Sequence, residues 1–236
     1  MDQILGVADW RSFAVTANSA FLLAFPSLFS IINPIGGALI YNSVTGTFSH
    51  AEKVSVAGRV GTYSLLVMLG ALWGGAYVLN FFGVSLGALR IAGGAVVALN
   101  AWSLLMSRDR HEDRSRRERE AAPEDTEGGP LALAFFPLTL PYTTGPGTIA
   151  VAITLGAERP VSGAGLLAFF LGVSAAAVAN AAIVWIAYRF ADRVTGWMGT
   201  SARSIISRLT AFLLLCIGVQ ILLAGLGDVV AGWHAR

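Results

Sequence analysis

The chain reads as an all-α polytopic membrane protein: six transmembrane helices forming two inverted three-helix repeats, with helices 1 and 4 broken near the bilayer midplane. Three observations predict this class. Of 236 residues, 55% are hydrophobic and 13% charged, with a mean hydropathy of +0.67; a soluble domain carries about 25% charged residues. The charges are also segregated. Arg108 to Glu127 holds six arginines and eight acids, while most apolar runs hold none. The third observation is a pair of interruptions in apolar sequence, one per half: Asn33-Pro34-Ile35-Gly36-Gly37 and Thr143-Thr144-Gly145-Pro146-Gly147-Thr148.

Apolar segments fall over about 15–42, 60–80, 84–107, 130–155, 161–188 and 205–226, each long enough to span if tilted. Met1 to Trp10 carries Asp2 and Asp9 and lacks a basic region, unlike a cleaved signal peptide, so the first apolar helix is the expected insertion signal. Within that segment, Ala20 to Ile32 has no ionisable group and ends at the first interruption. At about 1.5 Å per residue those thirteen residues cover about 20 Å, short of the roughly 30 Å hydrocarbon core, which puts the break inside the membrane. Leu131 to Thr144 places the second break likewise.

The second and third segments are joined by Asn80-Phe81-Phe82-Gly83 alone, a tight turn between antiparallel neighbours. The third and fourth are separated by a charged linker over 108–129, closed by Pro123, Gly128, Gly129 and Pro130. Its composition predicts a solvated cytoplasmic connection between a first repeat, 15–107, and a second, 130–226, of one transmembrane domain, 1–236. Even without that linker, lysine and arginine number five on the side holding Lys53, Arg59, Arg189, Arg193 and Arg203, against Arg11, Arg159 and Arg236 opposite. The positive-inside rule then sets both termini outside the cytoplasm.

Matching Pro34 with Pro146 aligns the two breaks, and matching Arg90 with Arg208 aligns the third and sixth segments. Three crossings is an odd number, so two such halves insert in opposite orientations, the plan of many secondary transporters. Proline and glycine release backbone groups from the helical ladder, and hydrocarbon cannot satisfy them. Restarted helices present amides suited to a carboxylate; freed carbonyls suit an ammonium group or a cation. The uncharged side chains in reach are Asn33, Thr143, Thr144 and Thr148. Set against this is the plainer reading of proline kinks whose glycines allow close packing, or of two re-entrant hairpins leaving four crossings.

Other features narrow the function. One cysteine, Cys216, and three scattered histidines cannot form a zinc cluster or an internal disulfide. The single lysine, Lys53, has no glycine-rich approach and so no phosphate loop, and no basic patch interleaves with aromatics for nucleic acid. Gly83-Val84-Ser85-Leu86-Gly87 matches a nucleophile elbow, but His50, His111 and His234 lie outside the spans. The expectation is a protein that is not an enzyme, with these glycines, like Gly70 and Gly74, serving close packing. Arg90 reads as an anchor that snorkels, and Asn100, Asn180 and Gln220 as interhelical hydrogen-bond groups. No acid lies deep in an apolar segment, so no carboxylate relay is visible; a coupling proton or sodium ion remains open, and no bound cofactor is expected.

Phe29 to Gly36, Phe82 to Gly94 with its Arg-Ile-Ala-Gly-Gly end, and Pro137 to Ile149 with Gly-Pro-Gly-Thr-Ile together resemble the MarC family of bacterial inner-membrane proteins, a group that includes small neutral amino acid transporters. The likeness covers roughly Phe21 to Gly225; the arginine-rich linker and the termini depart from it. The resemblance implies six helices in the inner membrane and an amino acid pocket lined by Asn33, Pro34, Gly36, Gly37, Thr144, Gly145, Pro146, Gly147 and Thr148. The expected function is secondary transport of small neutral amino acids such as alanine, glycine or serine by alternating access, with the substrate and the lipid bilayer as partners. Its rivals are an exporter or channel-like protein for another small solute or drug, and a non-transporting scaffold.

Overall fold

The structure is a computed structural model and describes residues 2–106, 133–160, 164–193 and 200–234. The charged linker expected over 108–129 lies outside them, as does the side chain of Asn100. The described residues are helical, with no strand among them. The helices are α1 (Asp2–Ile32), α2 (Pro34–Val44), α3 (His50–Phe81), α4 (Leu86–Met106), α5 (Pro146–Ala157), α6 (Ala164–Arg189) and α7 (Thr200–His234), with an irregular wide-turn segment, Ala134–Thr143, ahead of α5.

Among the described residues, five stretches are long and apolar enough to cross a membrane: Trp10–Asn42, His50–Phe81, Leu86–Ser103, Gly165–Arg189 and Ala211–Gly232. The segment expected over 130–155 is instead the wide-turn stretch plus the short α5, because Pro137 and Pro141 interrupt it and Phe136 and Leu140 adopt extended backbone angles. Local chemistry sets the other boundaries. Ser49 caps α3 in a reciprocal box: its hydroxyl accepts from the Glu52 amide (3.3 Å), and the Glu52 carboxylate accepts from the Ser49 amide (2.8 Å). Ser85, the serine of the apparent nucleophile elbow, accepts from the Ala88 amide (3.1 Å) and caps α4. Gly83 turns the hairpin with φ +66°, a region that favours glycine.

Side-chain contacts give the helix directions. α1 runs beside α6 in the same sense, with Gly172 against Ala17 and the Asn180 amide donating to the Phe25 carbonyl (3.2 Å). α3 runs antiparallel to α6: Gly61 faces Ala181 and Trp185, while the Trp73 indole N–H donates to Ser174 (3.0 Å). The limb formed by Ala134–Thr143 and α5 follows α3, with Phe135 edge-on to Tyr63 and Arg159 stacked 4.4 Å above Tyr77. α4 and α7 form the most extensive antiparallel pair, Gly87 against Gly225 and Gly94 against Gly218 and Leu222.

Buried side chains fill the centre, among them Leu28, Met68, Leu72, Leu138, Val173 and Val184. The outer faces stay apolar too: Leu22, Leu66, Leu99, Leu171 and Leu213 are all exposed, as expected where the surrounding solvent is lipid. Ion pairs sit at opposite ends. At one, Arg90 binds Asp228 (2.7 Å) and Glu158 (3.3 Å), tying α4 to α7 and to the end of α5. At the other, Lys53 binds Asp192 (2.7 Å). Arg208 is exposed and does not share the place of Arg90. The facing glycines pair Gly87 with Gly225 and Gly94 with Gly218.

Close packing uses fewer glycines than expected. A Cβ at Gly94 would lie 2.6 Å from the Leu222 backbone nitrogen and 2.7 Å from the Gly218 carbonyl oxygen, whereas Gly70 and Gly74 have nothing within 4 Å. Gly94→Ala is therefore expected to destabilise the protein by about 1–3 kcal/mol through overpacking. Gly70→Ala is expected to be neutral or to stabilise by up to about 1 kcal/mol through helix propensity. Thermal unfolding of the two variants in detergent, compared with the parent, checks the opposite signs.

Candidate functional site

The two breaks differ in kind. At the first, Asn33 alone separates α1 from α2, in a left-handed conformation (φ 49°, ψ 68°), which asparagine tolerates better than most residues. The ladder nearly survives the kink: the Asn33 amide donates to the Phe29 carbonyl (3.0 Å), and the Asn33 carbonyl accepts from Gly37 (2.9 Å). Its side-chain oxygen accepts from the Gly36 amide (3.2 Å), so Asn33 serves as the cap of α2. Pro34 is buried at the first position of that helix, where its missing N–H costs little. The first break thus satisfies most of the backbone groups it was expected to free.

The second break is deeper. Through Ala134–Thr143 the ladder widens, and threonine hydroxyls add bonds to carbonyls within it. Thr139 donates to Ala134 (2.6 Å), Thr143 to Leu138 (2.7 Å) and Thr144 to Thr139 (3.2 Å), each five residues back; the Thr144 amide donates to the same Thr139 carbonyl (2.9 Å). All three threonines are buried. α5 then starts at Gly145, whose extended backbone carries no side-chain cap. Gly147 and Thr148, in its first turn, are buried, and Pro146 is exposed. Unlike the first break, the start of α5 receives no hydrogen bond from a capping side chain, an arrangement that suits a negatively charged group.

The breaks meet inside the bundle. Gly147 packs against Val97 of α4, and a Cβ there would lie 3.4 Å from Ile31, next to the first break. From the other side, Tyr188 of α6 fills the notch left by the missing side chain of Gly37, and its hydroxyl is 2.8 Å from Thr143 Oγ1. A hydroxyl has one proton; since Thr143 donates to Leu138, Tyr188 is the donor in this pair. Tyr41 of α2 stacks on Tyr188, with ring centroids 4.7 Å apart, and donates its own hydroxyl to the Lys53 carbonyl.

Of the expected site residues, Gly37, Thr144, Gly147 and Thr148 lie buried around this junction. Asn33, Gly36 and Gly145 are half-buried at the helix starts, and exposed Pro146 stays on the outside. Tyr188 and Tyr41 were not among the expected residues: each is an aromatic near the end of an apolar segment, with no signal to distinguish it from a membrane-interface tyrosine. Gln220 is exposed, and its expected interhelical role has no counterpart among the described residues, whereas the side-chain amide of Asn180 bridges α6 to α1. A cavity of about 210 Å³ lies elsewhere, between the α3–α4 turn and the end of α5, lined by Leu79, Asn80, Ala157 and Arg159 among others. Among the described residues, no group of histidine, cysteine and acids could hold a metal ion.

Residues 18–230 match the family model described as MarC family integral membrane protein. The chain belongs to the MarC family. It is 31% identical over 217 residues to the UPF0056 inner membrane protein MarC of Escherichia coli O1:K1 / APEC, covering 88% of this chain and 94% of that protein. The Citrobacter koseri protein of the same name is 31% identical over 211 residues, and that of Escherichia coli K12 30% over 217, with the same shares covered. No solved structure matches the chain. With this family match and its five long apolar helices, the protein is an integral membrane protein.

The roles at the first break separate by substitution. Asn33→Gly keeps the left-handed backbone and loses the cap, for an expected cost of a few tenths of a kcal/mol, roughly 0.3. Asn33→Ala loses both, for about 2 kcal/mol. Melting temperatures of the two variants in the same detergent check the order.

Proposed function

We propose that this MarC family member is a secondary transporter of small neutral amino acids, with its binding site where the two helix breaks meet. The observation that carries the reading is the convergence of Gly37, Thr143 and Gly147 from opposite halves on one buried, uncharged junction. Helix breaks at matching positions of two halves are the best pointer to a transporter binding site. The uncapped start of α5 suits a substrate carboxylate, and the threonine hydroxyls suit its ammonium group. The notches at Gly37 and Gly147 are filled by Tyr188 and Val97, so a substrate that enters by displacing them has to be small.

In this reading the chain crosses the membrane six times, the limb Ala134–Thr143 plus α5 supplying the sixth crossing. Two inverted halves are supported by contacts that repeat on exchange: α1 follows α6 as that limb follows α3, and the α4–α7 pair meets itself through Gly87/Gly225 and Gly94/Gly218. The bacterial inner membrane, named for the relatives, is the proposed location, with both termini outside the cytoplasm by the positive-inside rule. Alternating access would rock one half against the other around the junction.

Counterflow of labelled alanine, glycine and serine into liposomes carrying the purified protein tests the proposal. At least one of the three is expected to exchange, and Gly147→Leu to lower the rate by about tenfold or more, while Gly74→Leu, which faces open space, leaves it unchanged. Folded protein that exchanges none of the three refutes the substrate class.

A further inference from the structure

We propose that Tyr188 is a removable plug: it fills the junction between the two breaks, and its withdrawal opens the site toward the end of the bundle that carries Lys53 and Asp192. The proposal rests on reading that junction as the substrate site. Tyr188 is the side chain that touches both breaks, with its hydroxyl in the notch of Gly37 and on Thr143 Oγ1. Its ring is held by stacking on Tyr41, and its hydroxyl is tied to Thr143 by a neutral hydrogen bond, worth far less than a buried ion pair would be to break.

The surroundings tie the plug to a latch. Asp192 follows Tyr188 by one helical turn and pairs with Lys53, whose side chain is only 11% exposed. Lys53 also reaches Asn42 Oδ1 (3.4 Å), and its backbone carbonyl accepts the Tyr41 hydroxyl. His50 stands 3.9 Å from the same Asp192 carboxylate. The latch therefore joins the end of α6 to α2 and α3 over the stacked tyrosines. Withdrawing Tyr188 leaves Thr143 Oγ1 with a free acceptor lone pair beside the start of α5. A ligand ammonium can take the place of the phenol proton there while a carboxylate meets the α5 amides. The site so opened suits a small zwitterion and repels a ligand carrying only negative groups on the Thr143 side.

The test uses the full chain in liposomes with Cys216→Ser and a reporter, Thr144→Cys, and reads the rate of modification by a small cationic methanethiosulfonate reagent added to both sides. The parent is expected to react slowly. Tyr188→Ala is expected to raise the rate by about tenfold or more and Tyr188→Phe, which keeps the ring and loses the hydrogen bond, by a smaller factor. Lys53→Asp is expected to raise it as well, and adding Asp192→Lys to restore protection, a rescue that general loosening would not produce. Melting curves identify any misfolded variant; if Tyr188→Ala does not fold, Tyr188→Phe and the charge-exchange pair decide. Rates within twofold of the parent in the folded variants overturn the plug. Raised rates without counterflow of any of the three amino acids in the reporter-free chain overturn the substrate class and leave the plug standing.

Discussion

Backbone groups inside an apolar bundle must find partners within the chain, and at the second break three threonine hydroxyls reinforce a widened backbone ladder. Pro137 and Pro141 remove two amides from the ladder, and Thr139, Thr143 and Thr144 each reach five residues back to a carbonyl. An unpaired group there would cost several kcal/mol, roughly 2–7 depending on the reference state. Much else depends on this arrangement. Because the Thr143 proton is committed to Leu138, the residue can only accept from Tyr188. That orientation of the phenol in turn requires the empty notch at Gly37.

The same constraint separates the two breaks chemically although they match in position. Asn33 meets it locally, capping its own helix and passing the ladder through a single left-handed residue. Gly145 does not, since it has no side chain with which to cap α5. The junction between the breaks is therefore one-sided: the first break supplies shape, through Gly37 and Ile31, and the second supplies polar groups. Two breaks of similar sequence are free to differ in this way because close packing needs only small residues, whereas capping a helix needs a particular side chain.

Much of the helical plan was legible in the sequence. Hydropathy placed the five long helices and the Asn80–Gly83 turn to within a few residues at most ends, and the paired motifs pointed to the residues that meet at the junction. Three things were not legible. Proline spacing alone cannot say whether Ala134–Thr143 continues as a helix, because that depends on hydroxyl partners five residues away rather than on periodicity. The register of α4 against α7 follows from glycines facing each other across the interface, which an end-to-end comparison of the two segments does not reveal. Tyr188 and Tyr41 owe their importance to long-range stacking, which no local pattern encodes.

The packing also constrains how such a bundle can move. α1, α3 and α6 hold one another through Gly172, Gly61 and the Asn180 bridge; α4 and α7 hold each other through their facing glycines. The two ion-pair sets respect this division: Lys53 with Asp192 lies within the first group, and Arg90 with Asp228 within the second. α5 belongs to both. Gly156 of α5 presses on the Leu72 backbone of α3, Ala150 presses on Gly93 of α4, and Glu158 just beyond it joins the Arg90 pair. Backbone pressed on backbone leaves little freedom for sliding, so a displacement of one group against the other must be transmitted along α5 to its start. That start is the uncapped, glycine-lined break, where the wide-turn segment offers the least regular backbone in the bundle and hence the natural place for the change in direction.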